Sequence, residues 1–121
     1  MIELVLPWPP TGNSYVRHTR SGGHYLTKAV TTFRLEVWNE AKQKRIQTLR
    51  GKLSLAVMAH PPDKRRRDLD NLFKCLGDAL QHAGVVADDS QFDFYSIQRM
   101  PPIKGGCVIC HITGLDAKPI A

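Results

Sequence analysis

The sequence has no apolar run approaching ~20 residues, so no transmembrane helix is expected. The opening Met1-Ile2-Glu3-Leu4 carries neither a basic region nor a long apolar stretch, which argues against a secretory leader. Three cysteines make an odd count in a chain without an export signal, and they read as reduced thiols of a cytoplasmic protein. Internal repeats and low-complexity segments are absent. Acidic residues are few: 11 Asp plus Glu stand against 17 Lys plus Arg, for a net charge of +6. So basic a chain commonly meets a polyanion, most often nucleic acid. Charge alone does not choose between DNA, RNA and an anionic membrane, and a solubilising surface is the plain alternative. What is present suits a single domain over residues 1–121, with 42% hydrophobic residues to build a core without disulfides.

Ile2, Leu4 and Leu6 alternate and predict a strand over 2–6, which Pro7-Trp8-Pro9-Pro10 stops. Residues 11–26 form a polar, partly basic loop with Tyr15, Arg17, His18 and Arg20, long enough for a short hairpin. Thr27 is a candidate cap for an amphipathic helix over 28–48. Val30, Phe33, Val37 and Ala41 face inward on it, and Lys28, Arg34, Lys42, Lys44 and Arg45 outward. Leu53, Leu55, Val57 and Ala59 mark the clearest strand, over 52–60, ended by Pro61-Pro62. A second helix, from about 70 to 83, aligns Leu72, Leu76, Ala79 and Leu80 and stops at Gly84. Two more strands are predicted over 93–100 and 107–113. This order predicts an α/β (α+β) fold, a small mixed sheet of about four strands packed with two main helices. The order of strands within the sheet is not legible at this level.

The chemistry concentrates in Arg65-Arg66-Arg67-Asp68-Leu69-Asp70-Asn71-Leu72-Phe73-Lys74. Two carboxylates sit at a helix mouth behind a basic run, and Lys74 lies one turn after Asp70 on the same face. Asp88 and Asp89 follow the helix. A helix over 70–83 is roughly 21 Å long, and five extended residues after Gly84 reach back about 17 Å. A reversal at Gly84 therefore has the reach to bring the second acidic pair near the first. Carboxylates gathered at one point repel one another, and a divalent cation such as Mg²⁺ relieves that repulsion while sharing substrate phosphates. Such a cluster suits phosphodiester hydrolysis, with Lys74 stabilising transition-state charge or protonating the leaving oxygen. Arg65, Arg66 and Arg67 suit flanking phosphates. Each feature also has a plain reading: Asp68 or Asp70 as a helix cap, Asp70–Lys74 as a surface ion pair, Asp88-Asp89 as a polar turn, and the triple arginine as a solvated loop.

These residues resemble the RusA family of Holliday junction resolvases. The pattern shows in Leu6-Pro7-Trp8-Pro9-Pro10, in residues 13–18 and 63–71, in Asp78-Ala79-Leu80 with Ala83-Gly84, in Asp88-Asp89 and in Lys104-Gly105-Gly106. It covers nearly the whole chain. The resemblance implies that Asp68, Asp70 and Asp89 bind metal and that Lys74 is catalytic, with Asp88 in a supporting part. It further implies Mg²⁺ dependence (Mn²⁺ as a substitute), a homodimer, four-way branched DNA as substrate, nicks leaving 5′-phosphate and 3′-hydroxyl ends, and carriage by prophages. The departures lie at the ends and at residues 84–87, where the family pattern calls for a bulkier aromatic run. A two-fold dimer with one site per chain would supply the two matched nicks of a four-way junction. The N-terminal loop, with Arg17, His18 and Arg20, would then hold DNA arms; its plain alternative is a disordered basic loop.

Cys107-Val108-Ile109-Cys110-His111 has the spacing of a c-type haem attachment site. As a strand, however, it turns its two sulfurs to opposite faces, and no second ligand pair exists for zinc. Trp8, Tyr15, Tyr25 and Trp38 are candidates for stacking on unpaired bases, with core or dimer packing the better reading for Trp38. Two rival functions remain at this stage: a non-catalytic nucleic-acid-binding module, and a metal-dependent hydrolase of nucleotides or RNA.

Overall fold

The computed structural model describes residues 1–10, 16–18 and 24–115, with the backbone alone for 16–18 and 24–26. Strand β1 (Ile2–Pro7) is followed by a short hairpin, β2 (Val16–His18) and β3 (His24–Leu26), which pair antiparallel. Helix α1 spans Lys28–Gln43, β4 Leu53–His60, α2 Asp70–His82, β5 Phe92–Arg99 and β6 Cys107–Gly114. The main sheet is mixed, in the order β1-β6-β4-β5. Strand β6 runs antiparallel to both β1 and β4, while β5 lies parallel to β4 at the edge.

Alternation within the strands decides which face is covered. Leu4 and Leu6, Leu53, Leu55, Val57 and Ala59, and Val108, Cys110 and Ile112 are all buried on one face. They meet Phe33, Val37 and Ala41 of α1 and Leu72, Cys75, Leu76, Ala79 and Leu80 of α2 in one core cluster. The α2 stripe expected from the sequence is thus the buried one. Cys110 is in this core while Cys107, three residues earlier on the opposite pleat, is only half-buried, so the two thiols do not face one site.

Two expectations change. Helix α1 ends at Gln43, not at 48. The turn is closed by bonds from Arg45 N–H to Lys42 O (3.0 Å) and from Ile46 N–H to Ala41 O (3.1 Å), a Schellman pattern. The apolar repeat stops at Ala41, and Ile46 folds back on the core instead of extending the helix. Of the two packing readings for Trp38, the core one does not hold: the residue is 39% exposed in the single chain, and the Lys42 ammonium lies 5.2 Å from its ring centre. Its position, one residue past the buried Val37, turns it off the apolar stripe.

The edge strand β5 is anchored by aromatics. A register shift between Leu53 and Ser54 pairs Leu53 with Phe92 and Ser54 with Phe94. The bulge brings Phe92 and Tyr95 to the same side, and Phe73 of α2 packs against both. Phe73 stacks on Tyr95 (centroids 4.0 Å, 12°) and meets Phe92 edge-on (6.2 Å, 80°). This packing draws the start of β5, and the turn before it, onto the middle of α2.

Candidate active site

Helix α2 carries the site. Asp70 is its first residue, in the turn where a negative charge is favoured by the helix dipole. Neither Asp68 nor Asp70 serves as the cap: the N-cap is Leu69, with helical φ/ψ and no side-chain cap bond. That removes capping as the reading of the two carboxylates, though the dipole still favours Asp70; both are exposed to solvent. Lys74, Asp78 and Gln81 follow Asp70 at intervals of four, four and three residues, so the four side chains share one stripe.

The second acidic pair reaches this stripe at its middle. A Cβ built on Gly77 would lie 3.4 Å from Asp89 Cβ and 3.6 Å from its Oδ2, so the missing side chain at 77 makes room for the carboxylate. Gln81 Oε1 accepts from the Asp89 N–H at 3.0 Å. Asp89 therefore lies about one turn beyond Lys74 and, at 1.5 Å per residue, roughly 10 Å along the axis from Asp70. The return is shorter than the expected reach because Val85 and Val86 are spent in the core beside Leu49, and the next residues curl into a 3₁₀ turn, Asp89–Gln91. Among the described residues no three His, Cys, Asp or Glu side chains gather closely enough to hold an ion. Asp70 and Asp89 thus meet the same stripe of α2, Asp68 lies just before the helix, and the three do not close into a cage.

The turn itself is tightly made. Asp88 accepts from Ser90 N–H at 2.8 Å, and Gln91 Oε1 accepts from Ala87 N–H (2.9 Å) and Asp88 N–H (3.1 Å), forming a capping box. The backbone bond to Ser90 holds the Asp88 carboxyl below its ordinary range. Asp89 is shifted the other way: burial against α2 raises it first, and the charges of Asp78 and Asp88 add to the effect. A carboxylate raised by burial and by neighbouring carboxylates is one whose charged form a cation would favour. The donor set is all hard oxygen, which fits Mg²⁺, an ion that needs one or two protein carboxylates and completes its shell with water and phosphate.

The basic run divides in two. Arg67 donates through Nη1 to Asp63 Oδ1 at 2.7 Å and sits with its guanidinium 5.9 Å from the Trp8 ring centre. Arg99 Nη2 in turn donates to the Arg67 carbonyl at 2.8 Å. The Arg67 guanidinium, then the Arg65 N–H, pull the Asp63 carboxyl down to about 2. Arg67 is therefore the clamp of the 61–69 loop; Arg65 is exposed with its Nε 3.9 Å from Asp63 Oδ2, a loose surface pair, and Arg66 is exposed as well. Gly106, at φ +72°, approaches so closely that a Cβ would lie 3.0 Å from Pro62 Cδ and from Trp8 Cβ. The proline-tryptophan motif, the Gly-Gly turn and the Asp63–Arg67 pair thus meet in one buttress beneath the N-terminus of α2. Tyr15 lies outside the described residues, as do the side chains of Arg17 and His18.

A family model described as Endodeoxyribonuclease RusA matches residues 7–110 of the chain. The chain belongs to the RusA family. It is 37% identical over 116 residues to the crossover junction endodeoxyribonuclease of Enterobacteria phage HK97, covering 95% of this chain and 96% of that protein. The crossover junction endodeoxyribonucleases of Escherichia coli K12 and Enterobacteria phage 82 are each 39% identical over 112 residues, or 92% of both chains. Sequence reasoning missed Gly77, Gln81, Gln91 and Arg99. A signal existed for Gln91, since Asp88-Asp89-Ser90-Gln91 has capping-box spacing, and for Gln81, which continues the Asp70 stripe.

Proposed function

We propose that this chain is a metal-dependent, structure-selective endodeoxyribonuclease that resolves four-way DNA junctions by paired symmetric nicks. It would act as a single-domain homodimer in the cytoplasm. The observation that supports the reading is the stripe on α2, which carries Asp70 and Lys74 in sequence and receives Asp89 over Gly77, with Arg65 and Arg66 a few residues before the helix. Asp68, Asp70 and Asp89 would hold Mg²⁺, with Mn²⁺ as a substitute. The bound cation supplies positive charge to polarise the scissile phosphate and acidify the attacking water. Lys74 places an ammonium beside that phosphate, where it offsets the charge growing in the transition state and is able to protonate the departing oxygen. Arg65 and Arg66 bind flanking phosphates and set the register of the strand. Tyr15, Arg17 and His18 would contact the DNA arms. The products are 5′-phosphate and 3′-hydroxyl ends.

The test is cleavage of a labelled four-way junction beside a linear duplex of the same sequence, with Mg²⁺ and with EDTA. Wild type should nick the junction symmetrically and spare the duplex, and EDTA should stop it. Asp70→Asn should lose cleavage and keep junction affinity, because it removes a negative charge beside the phosphates. Tight binding without cleavage under any divalent metal would leave a binding module. Equal cutting of unbranched substrates or of RNA would point to a less selective hydrolase.

A further inference from the structure

Between Glu40 and Asp63 the chain has no acidic residue, and Lys42, Lys44, Arg45, Arg50 and Lys52 fall within eleven residues of that stretch. Three of the five are engaged. Lys44 pairs with Glu40 at 3.5 Å and donates to the Glu3 carbonyl, Lys52 pairs with Asp93 at 3.4 Å, and Lys42 lies over Trp38. Arg45 and Arg50 are exposed and pair with no carboxylate among the described residues.

Arg45 also occupies a strained position. Its φ is +53°, at the residue after the α1 cap, where a Schellman turn favours glycine. It is the one non-glycine residue with positive φ among those described. An exposed arginine there gains no burial in return for its backbone.

The connection that bears these arginines is bonded to the turn that bears Asp89. Leu49 N–H donates to Val85 O at 2.8 Å, and Thr48 Oγ1 donates to Gly84 O at 2.7 Å. Gln91 Nε2 donates to the carbonyls of Leu49 (3.1 Å) and Gly51 (2.9 Å) while its Oε1 holds the Asp88 turn. Residues 48–51 and 84–91 thus form one hydrogen-bonded layer, with Asp89 on one side of Gln91 and the arginine-bearing connection on the other. Arg65 and Arg66 lie at the opposite end of α2, whose 13 residues span roughly 20 Å. At about 3.4 Å per phosphate along a strand, that separation is about six nucleotides.

We propose that Arg45 and Arg50 form a second phosphate-contacting surface, which carries a DNA arm away from the site on the Asp89 side while Arg65 and Arg66 hold it on the other. The proposal rests on the DNA-cleaving reading above. The experiment is junction affinity in EDTA as a function of salt, with thermal melting in parallel, for wild type, Arg45→Gly, Arg50→Gln and the double variant. Each arginine removed should flatten the plot of log affinity against log salt by about 0.9. For the double variant, the loss of affinity between about 50 and about 200 mM salt should be about tenfold smaller than for wild type. Arg45→Gly should melt a few degrees higher while binding less tightly, an outcome that a packing role would not produce. A wild-type salt slope in the double variant overturns the proposal, as does an Arg45→Gly protein that melts lower and binds the junction equally well. A wild-type protein that shows no salt-dependent junction affinity overturns the DNA-cleaving reading itself.

Discussion

Gly77 separates the stability of α2 from the placement of its third carboxylate. Replacing a glycine in a helix interior with alanine stabilises by about 0.8–1 kcal/mol from backbone entropy alone. The new methyl would find Asp89 Cβ at 3.4 Å, Asp89 Oδ2 at 3.6 Å and Phe73 Cζ at 3.7 Å, distances of ordinary contact. Gly77→Ala should therefore fold and melt about 3–6 °C higher, given the usual scaling for a domain of this size. The methyl also takes water from the Asp89 carboxylate, whose pKa burial already raises, so the acidic limb of the cleavage profile should move to higher pH. Gly77→Leu has no such room, because its branches require the volume that the Asp89 carboxylate fills. A displacement of about 1 Å at a reacting centre lowers rates by about a hundredfold, and the leucine should lower single-turnover cleavage by at least that factor. Junction affinity in EDTA should survive, since no phosphate-binding cation is touched. The assay is single-turnover nicking across pH, with melting as the control for folding. A Gly77→Leu protein that melts normally and cuts at the wild-type rate would refute the placement of a required carboxylate over Gly77.

Two further outcomes follow from the charges. Asp89→Asn should abolish cleavage yet melt higher than wild type at neutral pH. Because the native state raises the Asp89 pKa above its ordinary 3.8, it binds that proton more tightly than the unfolded chain does, and stability declines as pH rises between the two values. The advantage of the asparagine should therefore vanish when melting is repeated below the ordinary value. Within the arginine run, Arg65→Gln with Arg66→Gln should cut the salt slope of junction binding by about two without changing the melting temperature. Arg67→Gln should instead lower it, by releasing Asp63 and the Trp8 face. If all three glutamines act alike, the division into clamp and contact residues is wrong.

Local pattern alone determined the elements and the core. Alternation at Leu53, Leu55, Val57 and Ala59 can bury only one face of a strand, and the spacing of Leu72, Leu76, Ala79 and Leu80 can bury only one stripe of a helix, so both were legible. Asp70 and Lys74 were legible as neighbours for the same reason, since four residues are one turn. The end of α1 was not, because lysine, arginine and glutamine continue a helix as readily as they leave one, and only the return of Ile46 to the core decided it. Contacts between segments distant in sequence needed the tertiary structure. The strand order, the bulge that turns Phe92 and Tyr95 together, the stop of Asp89 at Gly77 and the capture of Arg67 by Asp63 and Trp8 all depend on where chains pack. Sequence bounded the return of the second acidic pair by its length, which is a maximum reach. Burial of Val85 and Val86 and the turn at Asp88 determined how much of that reach was used, and hence which residues of α2 face the third carboxylate.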